Sequence, residues 1–167
     1  MLIIFGGLPG TGKSTIARLL ASRLPAVWLR IDSIEQSLIT SKIIAMKDMG
    51  PSGYLVAHAI AEDNIRLGNI VIADSVNPIA ISRQGWRGVA EKNAVPFLEV
   101  QIYCSNKKQH RERVENRLAD ITGHDLPDWQ GVTTRQYEPW PSADLTIDTS
   151  VLSPHQAVDA ILRYIEL

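Results

Sequence analysis

Nine consecutive residues, Gly7-Leu8-Pro9-Gly10-Thr11-Gly12-Lys13-Ser14-Thr15, set three glycines, three hydroxyls and one lysine in the pattern G-x-x-x-x-G-K-S. The chemistry suited to that set is the holding of a polyphosphate, which offers no apolar surface and has to be met by donors. Glycines at 10 and 12 let successive backbone N–H groups turn into one concavity that a Cβ would obstruct. A helix starting near Lys13 would add its free N–H groups and the positive end of its dipole. Lys13 would lie against the β- and γ-phosphates, and the Ser14 hydroxyl would join the shell of a Mg²⁺ ion. The competing reading is an ordinary glycine-rich turn. The flanks favour the phosphate cradle, because Leu2-Ile3-Ile4-Phe5 reads as a strand and Ile16-Ala17-Arg18-Leu19-Leu20 as a helix.

Two acids stand where a crevice would form. Ala26–Ile31 reads as a second strand closing on Asp32, and the apolar run Ile70–Ala73 closes on Asp74. In an open α/β sheet the carboxyl ends of the strands border the ligand crevice, so Asp32 is the first candidate for a catalytic group. Capping of the helix at Ile34-Glu35 by Asp32 or Ser33 is the alternative. Asp74 would support the Mg²⁺ shell or the acceptor site, with capping again competing. Asn77, just beyond it, and Arg83, one turn into the next helical pattern at Ile79–Asn93, complete the candidate acceptor contacts. An exposed surface position is the other reading of Arg83.

Arg113 and Arg117 lie four apart in a helical pattern that resumes at Asn106. Like charges at that spacing repel unless an anion lies between them, so they read as lid arginines over the phosphates, with an ordinary solvated helix face as the alternative. Val114, Leu118 and Ile121 mark a separate, buried stripe. Residues 122–142 are rich in Pro, Gly and Trp, as lids and binding loops often are. Trp129, Tyr137 and Trp140 would either stack on a ligand or pin that loop to the body, and the spacing does not separate the two.

The elements that must position these groups follow in order: helices over 34–49 and 54–67, a fourth strand at Pro96–Tyr103, a fifth at Ala143–Ile147, and a closing helix burying Val158, Ile161, Leu162 and Ile165. With 167 residues, one domain spanning 1–167 with a lid segment at about 106–142 is expected. A net charge of −1 gives no case for bulk nucleic-acid or membrane binding. No apolar run approaches a membrane span, and the motif sits too near Met1 to leave room for a targeting peptide, so a cytoplasmic protein is expected. The single cysteine, Cys104, excludes an internal disulfide and reads as an inert thiol. His58 has no partner at metal spacing and reads as packed or solvated.

With strand, cradle, acid-tipped strands and arginine helix in this order, the chain resembles the small P-loop kinases of the nucleoside-monophosphate-kinase-like group. That group includes gluconate kinases, chloramphenicol phosphotransferases, zeta toxins and polynucleotide 5′-kinases. The resemblance implies an α/β three-layer sandwich, a five-stranded parallel sheet of order 2-3-1-4-5 with helices on both faces, and a helical lid. It implies ATP and Mg²⁺ as donor, an acceptor hydroxyl activated by Asp32, and the lid motif R-x-x-x-R on Arg113 and Arg117. It also places adenine at the turn Asp148-Thr149-Ser150. One departure is Glu35, where many relatives carry an arginine three residues after the acid. The expected partner is a small-molecule alcohol, with a nucleic-acid 5′-hydroxyl as the alternative acceptor. An ATPase or nucleotide-dependent switch acting on a protein is the reading from another class. The chain would be a monomer or homodimer.

Overall fold

The computed structural model describes residues 1–165. Five strands, β1 (Leu2–Gly6), β2 (Ala26–Arg30), β3 (Ile70–Asp74), β4 (Phe97–Tyr103) and β5 (Leu145–Asp148), form one parallel sheet in the order β2-β3-β1-β4-β5. Parallel strands need crossovers, and helices supply them: α1 (Lys13–Arg23), α2 (Ile31–Thr40), α3 (Ser52–Arg66), α4 (Ala80–Lys92), α5 (Lys107–Asn116), α6 (Trp129–Thr133) and α7 (Pro154–Ile165). A short 3-10 turn at Met46–Asp48 divides α2 from α3 where one continuous helix over 34–49 was expected.

The apolar runs make central strands buried on both faces. Ile3, Phe5, Ile72, Val100 and Ile102 pack with α1 and α7, while Leu2, Ile4, Val71 and Ala73 pack with α3 and α4. The closing helix buries Ala157, Val158 and Ile161, with Leu162 and Ile165 only partly covered. The register pairs Phe5 with Asp74 and Arg30 with Asp74, so the ends of β1, β2 and β3 stand level. That level rim is what brings residues 7–15, 32 and 74 to one side of the molecule.

The buried face of α3 is Gly53, Ala57, Ala61 and Ile65, whereas Val56, Ile60 and Leu67, which mark the helical spacing in the sequence, are exposed. Small residues allow close approach to neighbouring helices, and their burial leaves no hydropathy signal. His58 on this helix packs edge-on against Trp86 with ring centroids 4.4 Å apart, and burial lowers its pKa.

Residues 134–143 form a strap that packs against α4 and against β1 and β4. Trp140 is buried within the core, and its Nε1 donates to Glu99 at 3.0 Å. Glu99, a charged residue in the middle of β4, is held by Arg87 through two bonds of 2.6 and 2.8 Å. A carboxylate so enclosed is tolerated because every oxygen has a charged or N–H partner.

Candidate active site

The cradle is built by its glycines and by the strands beneath it. Gly10 and Gly12 have φ of 81° and 94°, in the left-handed region that side chains rarely adopt. A Cβ at Gly10 would also collide with Val114 of α5. Gly7 N–H donates to Val76 O at 3.0 Å, and the Thr11 hydroxyl closes the loop on Leu8 O at 2.8 Å. Gly7, Leu8 and Thr11 thus brace the loop, while Pro9, Gly10, Gly12, Lys13, Ser14 and Thr15 line a cavity of about 910 Å³. No side chain caps α1, which begins at Lys13, so its first N–H groups are left for a ligand. Lys13 is buried.

Asp32 lines the same cavity. The second strand ends one residue earlier than expected: Arg30 occupies the N-cap, and Asp32 lies in the first turn of α2 without capping it. Arg30 also faces the cavity, where Asp120 takes its guanidinium through two bonds of 2.6 and 3.0 Å.

Asp74 lies behind the loop rather than in the cavity wall. It is 1% exposed; Oδ2 accepts from Trp28 Nε1 at 3.2 Å, and Oδ1 has no hydrogen-bond partner. Burial raises its pKa, with the Lys13 charge opposing. A buried carboxylate oxygen with no donor, next to a buried lysine and the cradle serine, suits the outer shell of a hydrated divalent cation. The donor set of Ser14 and Asp74 therefore fits Mg²⁺.

The lid differs from expectation. Arg113 is on α5, but the helix ends at Asn116 and Arg117 is its C-cap, with extended backbone at φ −71° and ψ 144°. The two arginines still face one cavity. Arg113 donates to the Thr149 hydroxyl and to Thr149 O, both at 2.8 Å. Arg117 donates to Pro127 O at 3.3 Å, its Nε lacks a partner, and burial lowers its pKa. Leu118, expected in a buried stripe with Val114, is 91% exposed because the helix has already stopped.

Arg83 and Asn77 are structural rather than acceptor contacts. Arg83 is buried, and its guanidinium donates to the carbonyls of Asn77, Pro78, Glu138 and Pro139, outside the cavity lining. Asn77 is fully buried at φ 47° and donates through Nδ2 to Phe5 O at 2.7 Å. The three aromatic residues pin the chain. Trp129 meets His110 edge-on at 5.2 Å, and Tyr137 and Trp140 flank Arg83 at 5.3 and 4.7 Å.

At the expected adenine turn, Asp148 faces inward to the loop. Its Oδ1 accepts from Ser105 N, Ser150 N and the Ser150 hydroxyl at 3.0, 2.9 and 2.7 Å. Burial acts against ionisation, but these bonds outweigh it and hold the carboxyl well below its ordinary value. Thr149 lines the cavity, and its hydroxyl donates to Thr11 O at 2.8 Å, joining this turn to the cradle.

One supporting residue has no signal in the sequence. His110 Nε2 lies 2.9 Å from Pro9 O, tying α5 to the cradle across 101 positions.

The comparisons with known proteins agree with this geometry. Residues 2–132 match the AAA_33 family model, described as an AAA domain. A probable adenylyl-sulfate kinase of Aeropyrum pernix is 27% identical over 151 residues, covering 86% of this chain and 80% of the relative. A cytidylate kinase of Ignicoccus hospitalis is 24% identical and matched over 97% of both chains. The solved APS kinase CysC of Mycobacterium tuberculosis, in complex with AMPPNP and APS, superposes with a TM-score of 0.73 at 21% identity, covering 99% of this chain and 97% of that one. With the cradle, the 2-3-1-4-5 sheet and the matched model in agreement, the chain belongs to the AAA_33 family, as a small P-loop kinase.

Proposed function

We propose that the chain moves the γ-phosphate of ATP to a hydroxyl of a small molecule held between α2 and the segment 117–135. The observation that carries this is the shared cavity: Lys13, Ser14, Asp32, Arg113 and Arg117 all line it. Kinase relatives along most of the chain support phosphoryl transfer to a small-molecule acceptor.

The loop amides and Lys13 hold the β- and γ-phosphates, and Thr149 sets the wall beside the nucleoside. Ser14, backed by Asp74, would hold Mg²⁺, which when bound would supply neutralisation of the phosphate charge. Asp32 orients the acceptor hydroxyl and takes its proton as the oxygen bonds to the γ-phosphorus. The bond from that phosphorus to the β–γ bridging oxygen breaks, and ADP leaves. Arg117, with an unpartnered Nε, offsets charge on the transferred group, and Arg113 joins it by exchanging Thr149 for phosphate oxygens. Positioning and charge neutralisation supply the rate.

Labelled ATP screened against hydroxyl-bearing metabolites and nucleic-acid ends tests the proposal. Label should leave the γ-position on an organic acceptor, and Asp32→Asn should abolish that transfer while ATP still binds. Label found only in free phosphate, or full turnover by the variant, would refute it.

A further inference from the structure

The acceptor wall of the cavity is rich in hydrogen-bond acceptors. Asp32 and Glu35 lie three apart on α2, a spacing that puts Cβ atoms about 5–6 Å apart on one helix face. Both line the cavity, and neither carboxylate has a hydrogen-bond or ion-pair partner among the described residues. Gln36 stands beside them, 7% exposed and lining the same space; its Oε1 is buried without a donor, while its Nε2 is turned to Thr40 at 3.3 Å. An orphaned amide oxygen beside two unpaired carboxylates calls for a ligand that brings donors.

Of the cations around the cavity, Arg30 and Arg117 act on Asp32 and Arg135 on Glu35 through space, but among the described residues none forms an ion pair with either acid. Lys13, Arg113 and Arg117 belong to the phosphate side. Arg30 is taken by Asp120 through two bonds, and Arg135 is exposed at the rim. Glu35 is packed against the first turn of α3 as well, since a Cβ at Gly53 would collide with its Cγ and with its Oε1. Burial and the neighbouring Asp32 raise the pKa of Glu35, with the Arg135 charge opposing. A bound cation would reverse that shift.

On the reading that the chain is a kinase, we infer that its acceptor is an alcohol carrying a protonated amine close to the reacting hydroxyl, with Asp32 taking the hydroxyl and Glu35 and Gln36 taking the ammonium. The ammonium supplies three donors to Glu35 and Gln36 Oε1. An anionic alcohol would place a like charge against two carboxylates.

The test uses the full chain with Mg²⁺ and labelled ATP, and three sets of alcohols: ethanolamine, glucosamine and kanamycin; glycerol and glucose; gluconate and adenylyl sulfate. Binding in the presence of AMP-PNP is read in parallel by calorimetry. The amine set should bind and accept label in preference to the neutral set, and the anionic set should do neither. Glu35→Gln should raise KM for the best amine about 10- to 100-fold while leaving that for a neutral alcohol unchanged. Preference for an anionic member, equal use of all three sets, or no binding by any amine would overturn the inference, and the wild-type panel alone decides this if the variant does not fold. Label on gluconate or adenylyl sulfate alone would leave the kinase reading standing, whereas ATP binding with label only in free phosphate would remove it.

Discussion

Replacing Asp74 with asparagine should stabilise the protein without nucleotide and impair it with nucleotide. Asp74 is 1% exposed, and its Oδ1 has no hydrogen-bond partner. A buried donor or acceptor left unmet costs about 1–3 kcal/mol, and more when charged. Asparagine keeps an oxygen for Trp28 Nε1 and removes the charge, but sets an amide NH₂ beside Lys13 and Ser14, so only the part of that cost due to charge, about 1 kcal/mol, is recovered. For a domain of this size about 1 kcal/mol shifts Tm by roughly 2–4 °C, and a rise of that size is expected. The sign of the pH dependence follows from the raised pKa. The folded state holds the proton more tightly than the unfolded chain, so Asp74 favours folding at low pH and loses that contribution as pH rises through its folded value. Wild type and variant should therefore melt together near pH 4, and the variant should gain as pH increases to 8. Calorimetric melting across that range, paired with titration of Mg²⁺-ATP, is the assay. Affinity for Mg²⁺-ATP should fall about tenfold or more, because the outer-shell carboxylate is lost. A variant that melts at or below wild type at pH 8, or one that binds Mg²⁺-ATP unchanged, would refute this account of Asp74.

Other substitutions separate the site from its scaffold. Gly10→Ala forces a side chain into a left-handed position and against Val114; ATP binding by calorimetry should fall about 100-fold or more, with a smaller loss of melting temperature. Arg83→Ala removes the donors of four backbone carbonyls, and denaturant unfolding should show a loss of about 2–4 kcal/mol with kcat of the folded fraction unchanged. Asp148 has a depressed pKa, so its contribution to stability is present above the ordinary Asp value and is lost as pH falls. Asp148→Asn should therefore melt lower than wild type at pH 6, with the gap narrowing at pH 3.

The cradle was legible because its chemistry is local: nine adjacent residues carry the glycines, the lysine and the hydroxyl. The buried runs at Leu2–Phe5 and Ile70–Ala73 read correctly as strands, since parallel strands covered on both faces need continuous apolar sequence. What failed depended on distant partners. Arg83 has the spacing of an acceptor contact, but carbonyls 55 and 56 positions away claim it. The α5 pattern extends through Ile121 in the sequence, yet the helix stops at Asn116. On α3, packing chose small residues over the larger apolar ones that periodicity favours. Within the site, Lys13, Ser14, Asp32, Arg113, Arg117 and Thr149 share the cavity, whereas nothing local announced His110 or the pairing of Arg30 with Asp120.

Trp140 lies so close to Gly6 that even a methyl group there would strike its indole ring. The residue that launches the phosphate loop is thus wedged in place by one introduced more than 130 positions later. Thr149 reinforces the same dependence through its bond to Thr11 O. Trimming the chain at residue 132, where the family match ends, would retain every residue of the G-x-x-x-x-G-K-S motif and discard the furniture that keeps it in shape. A fragment so cut should be a poor nucleotide binder despite carrying the whole signature.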